Sequence, residues 1–184
     1  MRRLIGALVM AGGLMVMAAG PAALAADGDG GSGLITATIT AGSIGSRSVT
    51  SVAPVVMTSL LNASQLTASY AVLVTETART GTDPWSVTAV LAAALSDGLG
   101  HTIPTSNMAV SARSVLRVLG GGTATAPAGS EDLSAAKTLF SVTGQDPLSV
   151  YTGTYTGSGT LTLTVPNATA VGVYTGTLTV TLVQ

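Results

Sequence analysis

The segment Tyr174-Thr175-Gly176-Thr177-Leu178-Thr179-Val180-Thr181-Leu182 decides the fold class. Its large apolar side chains alternate with threonines, and successive side chains of a β-strand point to opposite faces of the sheet. One face of this segment would therefore be apolar and the other lined with hydroxyls. Threonine and valine also favour strands. The pattern predicts a half-buried β-strand with its threonines facing outward.

The same alternation recurs along the chain between turn signals such as Gly81-Thr82-Asp83-Pro84 and Gly120-Gly121-Gly122. Many short strands separated by such turns are typical of a sandwich. We therefore predict an all-β fold, an antiparallel β-sandwich of seven to ten strands. The predicted inward faces are Ile35, Ala37 and Ile39; Tyr70, Val72 and Val74; Trp85, Val87, Ala89 and Leu91; and Met108, Val110, Ala112, Leu116 and Val118.

Three stretches depart from this pattern. Ala92–Leu95 is compatible with the end of a helix, and Ser130–Thr138 offers an N-cap serine followed by two acids. The sandwich is therefore expected to carry one or two short helical turns. The Gly-, Ala- and Thr-rich stretch 119–130 is expected to form a mobile surface loop.

The first 33 residues divide into two parts. Residues 1–25 combine two arginines, an apolar run and a small-residue end, as secretory signal peptides do; a retained membrane anchor is the alternative. Residues 26–33 are expected to be a flexible leader, and residues 34–184 one domain. The prediction is a secreted protein, extracellular or associated with the cell wall, that is not attached to a membrane after cleavage. No covalent anchor signal is recognised, so surface attachment is expected to be noncovalent.

Composition excludes several kinds of chemistry. The chain has no cysteine and one histidine, His101, so Cys-zinc sites, thiol nucleophiles and histidine clusters are not available. After residue 25 there are five basic and eight acidic residues, a formal net charge of −3, which does not suit nucleic-acid binding. Asp97 and His101 flank a Gly-Leu-Gly turn, and no serine motif or carboxylate pair accompanies them. We expect neither an enzyme nor a cofactor or metal.

Three stretches resemble parts of the WxL surface domains. Residues 74–87, which end in Trp85-Ser86-Val87, resemble the strand, turn and Trp-x-Leu strand of those domains, and Thr102-Ile103-Pro104 resembles the following segment. Residues 160–166 and 171–182 resemble their closing strands. The position of the family's second tryptophan is occupied by Leu178, so the chain resembles a divergent member. The resemblance implies a sandwich from Gram-positive bacteria that binds the cell wall noncovalently, with peptidoglycan as the ligand and with Trp85 and Tyr174 in the binding motifs.

Four aromatic residues are candidates for ligand binding. Trp85 follows a turn, and its indole is suited to stacking on a sugar ring; in register with Val87 and Ala89, it would instead lie in the core. Tyr151 and Tyr155 share one strand face about 13 Å apart, a spacing that suits neighbouring sugars; inward packing is the alternative for both. Tyr174 becomes a candidate through the WxL resemblance.

Two basic residues are the remaining candidates. Arg113 and Arg117 share the face of their strand opposite Leu116 and Val118, where they would meet an anionic wall polymer. Basic residues on strands also block edge-to-edge pairing, which is the alternative for both.

These observations favour a non-enzymatic surface protein that binds cell-wall glycan. The alternative is an assembly module that pairs with other surface proteins through its strand edges, since strand addition uses main-chain hydrogen bonds and no special side chains. An unrecognised enzyme is the third possibility.

Overall fold

The computed structural model describes residues 32–39, 47–52, 55–57, 64–80, 84–145, 150–167, 169–170 and 172–184. Within these ranges the chain forms thirteen β-strands and one 3₁₀ helix, Thr105–Asn107. The strands are β1 Ser32–Ile39, β2 Arg47–Val52, β3 Val55–Met57, β4 Gln65–Thr80, β5 Trp85–Leu91, β6 Leu95–Ser96, β7 Thr102–Ile103, β8 Met108–Leu119, β9 Thr123–Thr125, β10 Glu131–Asp132, β11 Lys137–Thr143, β12 Val150–Thr164 and β13 Val173–Val183.

The strands form two packed sheets, so the predicted all-β sandwich is confirmed. The eight-stranded sheet has the order β3-β1-β13-β5-β11-β9, with β6 beside β13 and β7 beside β6. The five-stranded sheet has the order β10-β8-β12-β4-β2. Among the described strands every pair is antiparallel except β1 and β13, which run parallel over eight residue pairs.

The core lies between the sheets and is built by period-two alternation. Along β5 every second residue from Trp85 to Leu91 is buried, as predicted. Tyr70, Val72 and Val74 of β4 are also buried, and so are the predicted inward residues of β13. The side chains of Ile35, Ala37 and Ile39 lie outside the described part of the structure.

The strand count and the positions of the helical turns were predicted wrongly; the short helical turn in the described residues is the 3₁₀ helix Thr105–Asn107. Several strands are only two or three residues long, so the described chain has thirteen rather than seven to ten. The stretch Ala92–Leu95 is not helical, because its donors serve neighbouring strands: the Ala92 N–H donates to the Thr177 carbonyl at 3.0 Å, and buried Leu95 pairs with Ile103.

Ser130–Thr138 likewise contains no helix. Glu131 and Asp132 form β10 and pair with β8, and the Leu133 N–H donates to the Met108 carbonyl at 2.8 Å. The Asp132 carboxylate then accepts the Ser134 N–H at 3.1 Å, a local turn that competes with a helix start.

A bulge in β8 reverses the predicted faces of its second half. Ala112 has φ +47°, and Ala112 and Arg113 together lie opposite Gly159, since Ser111 pairs with Thr160 and Ser114 with Ser158. The extra residue turns Arg113 inward. Leu116 and Val118, predicted as core residues, are 65% exposed.

The first described strand begins at Ser32, so β1 includes the last two residues of the predicted leader. The predicted signal peptide and the leader residues 26–31 lie outside the described residues.

Candidate functional site

Trp85 lies in the core and not on a surface platform. It is 2% exposed, and its indole meets the rings of Phe140 and Tyr155 edge-on at 5.9 and 5.1 Å. Such T-shaped pairs are favourable aromatic geometry. The core alternative stated for Trp85 is therefore the correct one, and sugar stacking on its face is not available in this structure.

A buried ion pair lies against the same indole. Arg47 and Glu76 are both fully buried, and Arg47 Nε donates to Glu76 Oε1 at 2.8 Å. The Arg47 guanidinium carbon lies 5.3 Å from the Trp85 ring centroid, within cation–π range. Burying either charge without a partner would strongly lower the stability of the fold. The stability of the buried pair therefore depends on the hydrogen bond between the two side chains.

Gln145 closes this cluster. Arg47 Nη2 donates to Gln145 Oε1 at 3.0 Å, and Gln145 Nε2 donates to Glu76 Oε2 at 3.0 Å. The amide thus bridges the two charged groups, and Gln145 is itself 3% exposed. This cluster was not predicted from the sequence. Glu76 continues the inward period of Tyr70, Val72 and Val74, and that signal alone could have placed a carboxylate in the core.

Tyr155 is also buried, and its hydroxyl forms hydrogen bonds inside the protein. It donates to the Gly121 carbonyl at 2.8 Å and lies 3.4 Å from Glu76 Oε2. Burial and the nearby Glu76 charge raise the pKa of Tyr155. The predicted tyrosine platform is thus wrong at Tyr155, since the ring faces the core; the side chain of Tyr151 lies outside the described part of the structure.

Tyr174 shows the same arrangement at the start of β13. The residue is 4% exposed, and its hydroxyl donates to the Ala170 carbonyl at 2.9 Å. Burial, together with the nearby Asp97 charge, raises its pKa. The ring closes one end of the core and presents no face to a ligand.

Arg113 does not face solvent, which corrects the predicted role in binding an anionic polymer. The bulge at Ala112 directs its fully buried side chain to the segment that follows β9, where it donates to the carbonyls of Pro127 at 3.1 Å and Ala128 at 3.0 Å. It also donates to the Thr138 carbonyl at 3.1 Å and to Glu131 Oε2.

Residues 119–130 were predicted to form a loop, but only part of this stretch is one. Residues 123–125 form β9 and pair with β11, and the carbonyls after β9 are bound by Arg113. A guanidinium supplies several donors in a fixed plane, so one side chain can hold several carbonyls.

Arg117 lies in a different environment from the buried Arg113. It is exposed, and its Nη1 donates to the Gly122 carbonyl. The two arginines have side chains on the same face of β8, but one is buried and the other exposed, so they do not form one basic surface. The neighbouring exposed residues of β8 are apolar: Leu116, Val118 and Leu119 are 60–65% exposed.

Asp97 and His101 form a turn, as predicted from the sequence. Asp97 Oδ1 accepts the N–H of Leu99 at 2.8 Å and of His101 at 3.1 Å, while Oδ2 lies 2.6 Å from His101 Nδ1. Desolvation opposes ionisation of Asp97, but these hydrogen bonds outweigh it and lower its pKa. Gly98 and Gly100 have positive φ, which the turn requires.

Acidification will lower the stability of the domain partly through Glu131. The hydrogen bond from Arg113 lowers the pKa of Glu131 despite desolvation, and the one from Ser134 lowers that of Asp132. Because the folded pKa values are depressed, this stabilisation is present above the ordinary carboxyl pKa of about 4 and is lost as pH falls through the folded values. Urea midpoints measured between pH 7 and 3 should fall less steeply for Glu131→Gln than for the wild type; equal slopes would contradict the assignment.

The described residues contain neither a metal-binding cluster nor a membrane-spanning helix. No group of three or more His, Asp or Glu side chains there is arranged to hold a metal ion. The same residues contain no helix with the length and hydropathy needed to span a membrane.

Comparisons with known proteins add no family. Neither a protein-family model nor a curated protein matches the chain.

Proposed function

We propose that the chain is a secreted, non-enzymatic surface protein that assembles with other surface proteins through the open edge of β8. The observation that supports this proposal is the exposure of Leu116, Val118 and Leu119 on one strand. Only Ala109 and Val110 of β8 are paired with β10, so the second half of the strand has β12 on one side and no described strand on the other.

An edge of this kind can accept another strand. Unpaired N–H and C=O groups template the addition of an extended segment, and side chains then give specificity. Protein edges are commonly protected by charges, but Arg117 is the only charged residue among residues 114–119. Exposed apolar side chains beside unpaired main-chain groups therefore favour association.

The test compares two substitutions in the producing cell. Leu116→Lys/Val118→Lys should disrupt association, whereas Leu99→Lys changes an 83% exposed leucine on the Asp97–His101 turn and serves as the matched control. After chemical cross-linking of intact cells, immunoblots should show wild type and Leu99→Lys in larger complexes and the edge variant at its own mass. Identical complexes in all three would refute the proposal.

Noncovalent binding to peptidoglycan, which the WxL resemblance implies, is the second candidate. The observation in its favour is a hydroxyl-rich surface: the described outward side chains of β12 are Thr152, Thr154, Thr156, Ser158, Thr160, Thr162 and Thr164. Serine and threonine hydroxyls can donate to and accept from the hydroxyls of a glycan. Sedimentation with purified sacculi tests this candidate, and protein that stays in the supernatant would exclude it.

A further inference from the structure

The edge strap, residues 126–132, lies along the edge of β8 between the end of β9 and Leu133. Within it, Glu131 and Asp132 pair with the first half of β8, and Arg113 donates to the carbonyls of the residues that precede them. Natural sheets often cover an edge strand with a loop, which prevents another chain from pairing with it. The edge strap therefore covers the part of β8 that precedes the open edge.

Little apolar burial holds the edge strap in place. None of its residues is buried: residues 128–130 are exposed and the others half-buried, with Ala126 packed partly against the core. Its two ends are fixed, since Thr125 pairs with Ser141 and Leu133 is fully buried. A segment with few buried apolar contacts opens at a low free-energy cost while the rest of the domain stays folded. The strap is therefore held chiefly by polar contacts.

One guanidinium supplies most of these polar contacts. The fully buried side chain of Arg113 donates to three carbonyls of the strap, those of Pro127 at 3.1 Å, Ala128 at 3.0 Å and Gly129 at 3.5 Å. It also donates to Glu131, the only carboxylate among its acceptors in the described residues. A buried guanidinium without an anionic partner is strongly destabilising. Glu131 therefore keeps Arg113 inside the protein, and Arg113 in turn holds the strap.

The charges around Glu131 make the strap sensitive to pH. Arg113 of β8 and Lys137 of β11 face it, with Lys137 Nζ 3.8 Å from Glu131 Oε1, and Asp132 is the neighbouring acid on β10. Tyr70 of β4 lies near Arg113, but burial raises the pKa of Tyr70 to about 12, so it stays neutral and does not replace the carboxylate. Protonation of Glu131 would leave Arg113 and Lys137 without the carboxylate that binds both.

The direction of the pH effect follows from the two environments of Glu131. In the closed strap, the hydrogen bond from Arg113 lowers the pKa of Glu131. In an open strap the carboxyl group would lie in water, with its ordinary pKa of about 4. Protons therefore bind the open form more tightly. The closed form is favoured above the ordinary value and loses this advantage as pH falls below about 4.

We propose that the edge strap is a pH-dependent cover of β8, closed while Arg113 binds an ionised Glu131 and opened when Glu131 takes up a proton. Opening would free the main-chain groups of Ala109 and Val110 and extend the open edge into the first half of the strand. The effect on association rests on the proposed use of the β8 edge. The opening itself needs no partner, so purified protein is enough to test it.

Glu131→Gln imitates the protonated side chain at neutral pH. Hydrogen–deuterium exchange, measured by mass spectrometry of peptides, should show amides within residues 126–133 and 109–110 exchanging at least about tenfold faster than in the wild type, since a neutral amide does not balance the buried guanidinium. Amides of β5 and β13 should keep their wild-type exchange. Asp132→Asn is the matched control, because it removes one charge from a carboxylate that accepts the Ser134 N–H instead. Its strap should stay closed.

Acidification of the wild type should produce the same local opening. Protection of the strap, corrected for the effect of pH on intrinsic exchange, should fall between pH 7 and about 3.5, below the ordinary carboxyl pKa. Protection in Glu131→Gln should change little over this range.

The outcomes separate this inference from the proposed function. Equal protection of the strap in the wild type and Glu131→Gln overturns the inference. Faster exchange of the whole domain in parallel also overturns it, because Glu131 would then stabilise the fold and not the strap alone. If the strap opens as expected but the cellular complexes do not depend on Leu116 and Val118, only the proposed function fails.

Discussion

Replacing Glu76 with leucine will lower the free energy of unfolding by about 3–5 kcal/mol, because it removes a buried carboxylate that accepts a hydrogen bond from the Arg47 guanidinium. Arg47→Met should cost a similar amount by leaving the carboxylate in the core. Urea denaturation of the purified variants measures both losses. Stabilities of small domains are themselves about 5–15 kcal/mol, so either variant removes a large share.

The double variant Arg47→Met/Glu76→Leu is the decisive comparison. Apolar residues of similar volume can replace a buried ion pair with little net loss, so much of the stability should return. The coupling energy from the four proteins then reports the interaction itself. Simple addition of the two single losses would show that the residues act independently, contrary to the 2.8 Å contact.

Trp85→Ala will also destabilise the domain by about 3–5 kcal/mol, the usual cost of truncating a buried large aromatic residue. The cavity would remove both edge-on ring contacts and the surface on which Arg47 rests. Trp85→Phe keeps part of this packing and should cost less. Equilibrium unfolding in urea, followed by far-UV circular dichroism, measures these losses in variants that lack the only tryptophan.

Leu99→Ala is the control for this comparison, since truncation of an exposed side chain should stay within about 0.5 kcal/mol of the wild type. A Trp85→Ala protein as stable as the control would contradict the core position. If that stable protein also failed to sediment with sacculi, Trp85 would be a binding residue after all.

The alternation of apolar and polar residues made most of the fold predictable from the sequence. Alternation in β4, β5 and β13 identified both the strands and their inward faces, because burial of one face repeats every second residue. The pattern failed where one residue interrupts it. The bulge at Ala112 carries no glycine or proline signal, so nothing in the sequence showed that Leu116 and Val118 would face outward.

The candidate site was less predictable than the fold. An aromatic residue on an alternating strand suits either a core or a binding platform, and only the position of the opposite sheet decides between them. Arg47 and Glu76 are 29 residues apart in sequence, and Gln145 is 98 residues from Arg47. Their contact depends on long-range packing that local patterns do not encode.

The parallel pairing of β1 and β13 has a mechanical consequence. Ser32 lies beside Val173, and Ile39 beside Val180, so the start of β1 and the end of β13 are at opposite ends of the pair. Tension applied at those two points would slide the strands past each other, loading their hydrogen bonds together instead of opening them one at a time. Stretching along this pair would therefore meet more resistance than a force that separates the two strands from one end.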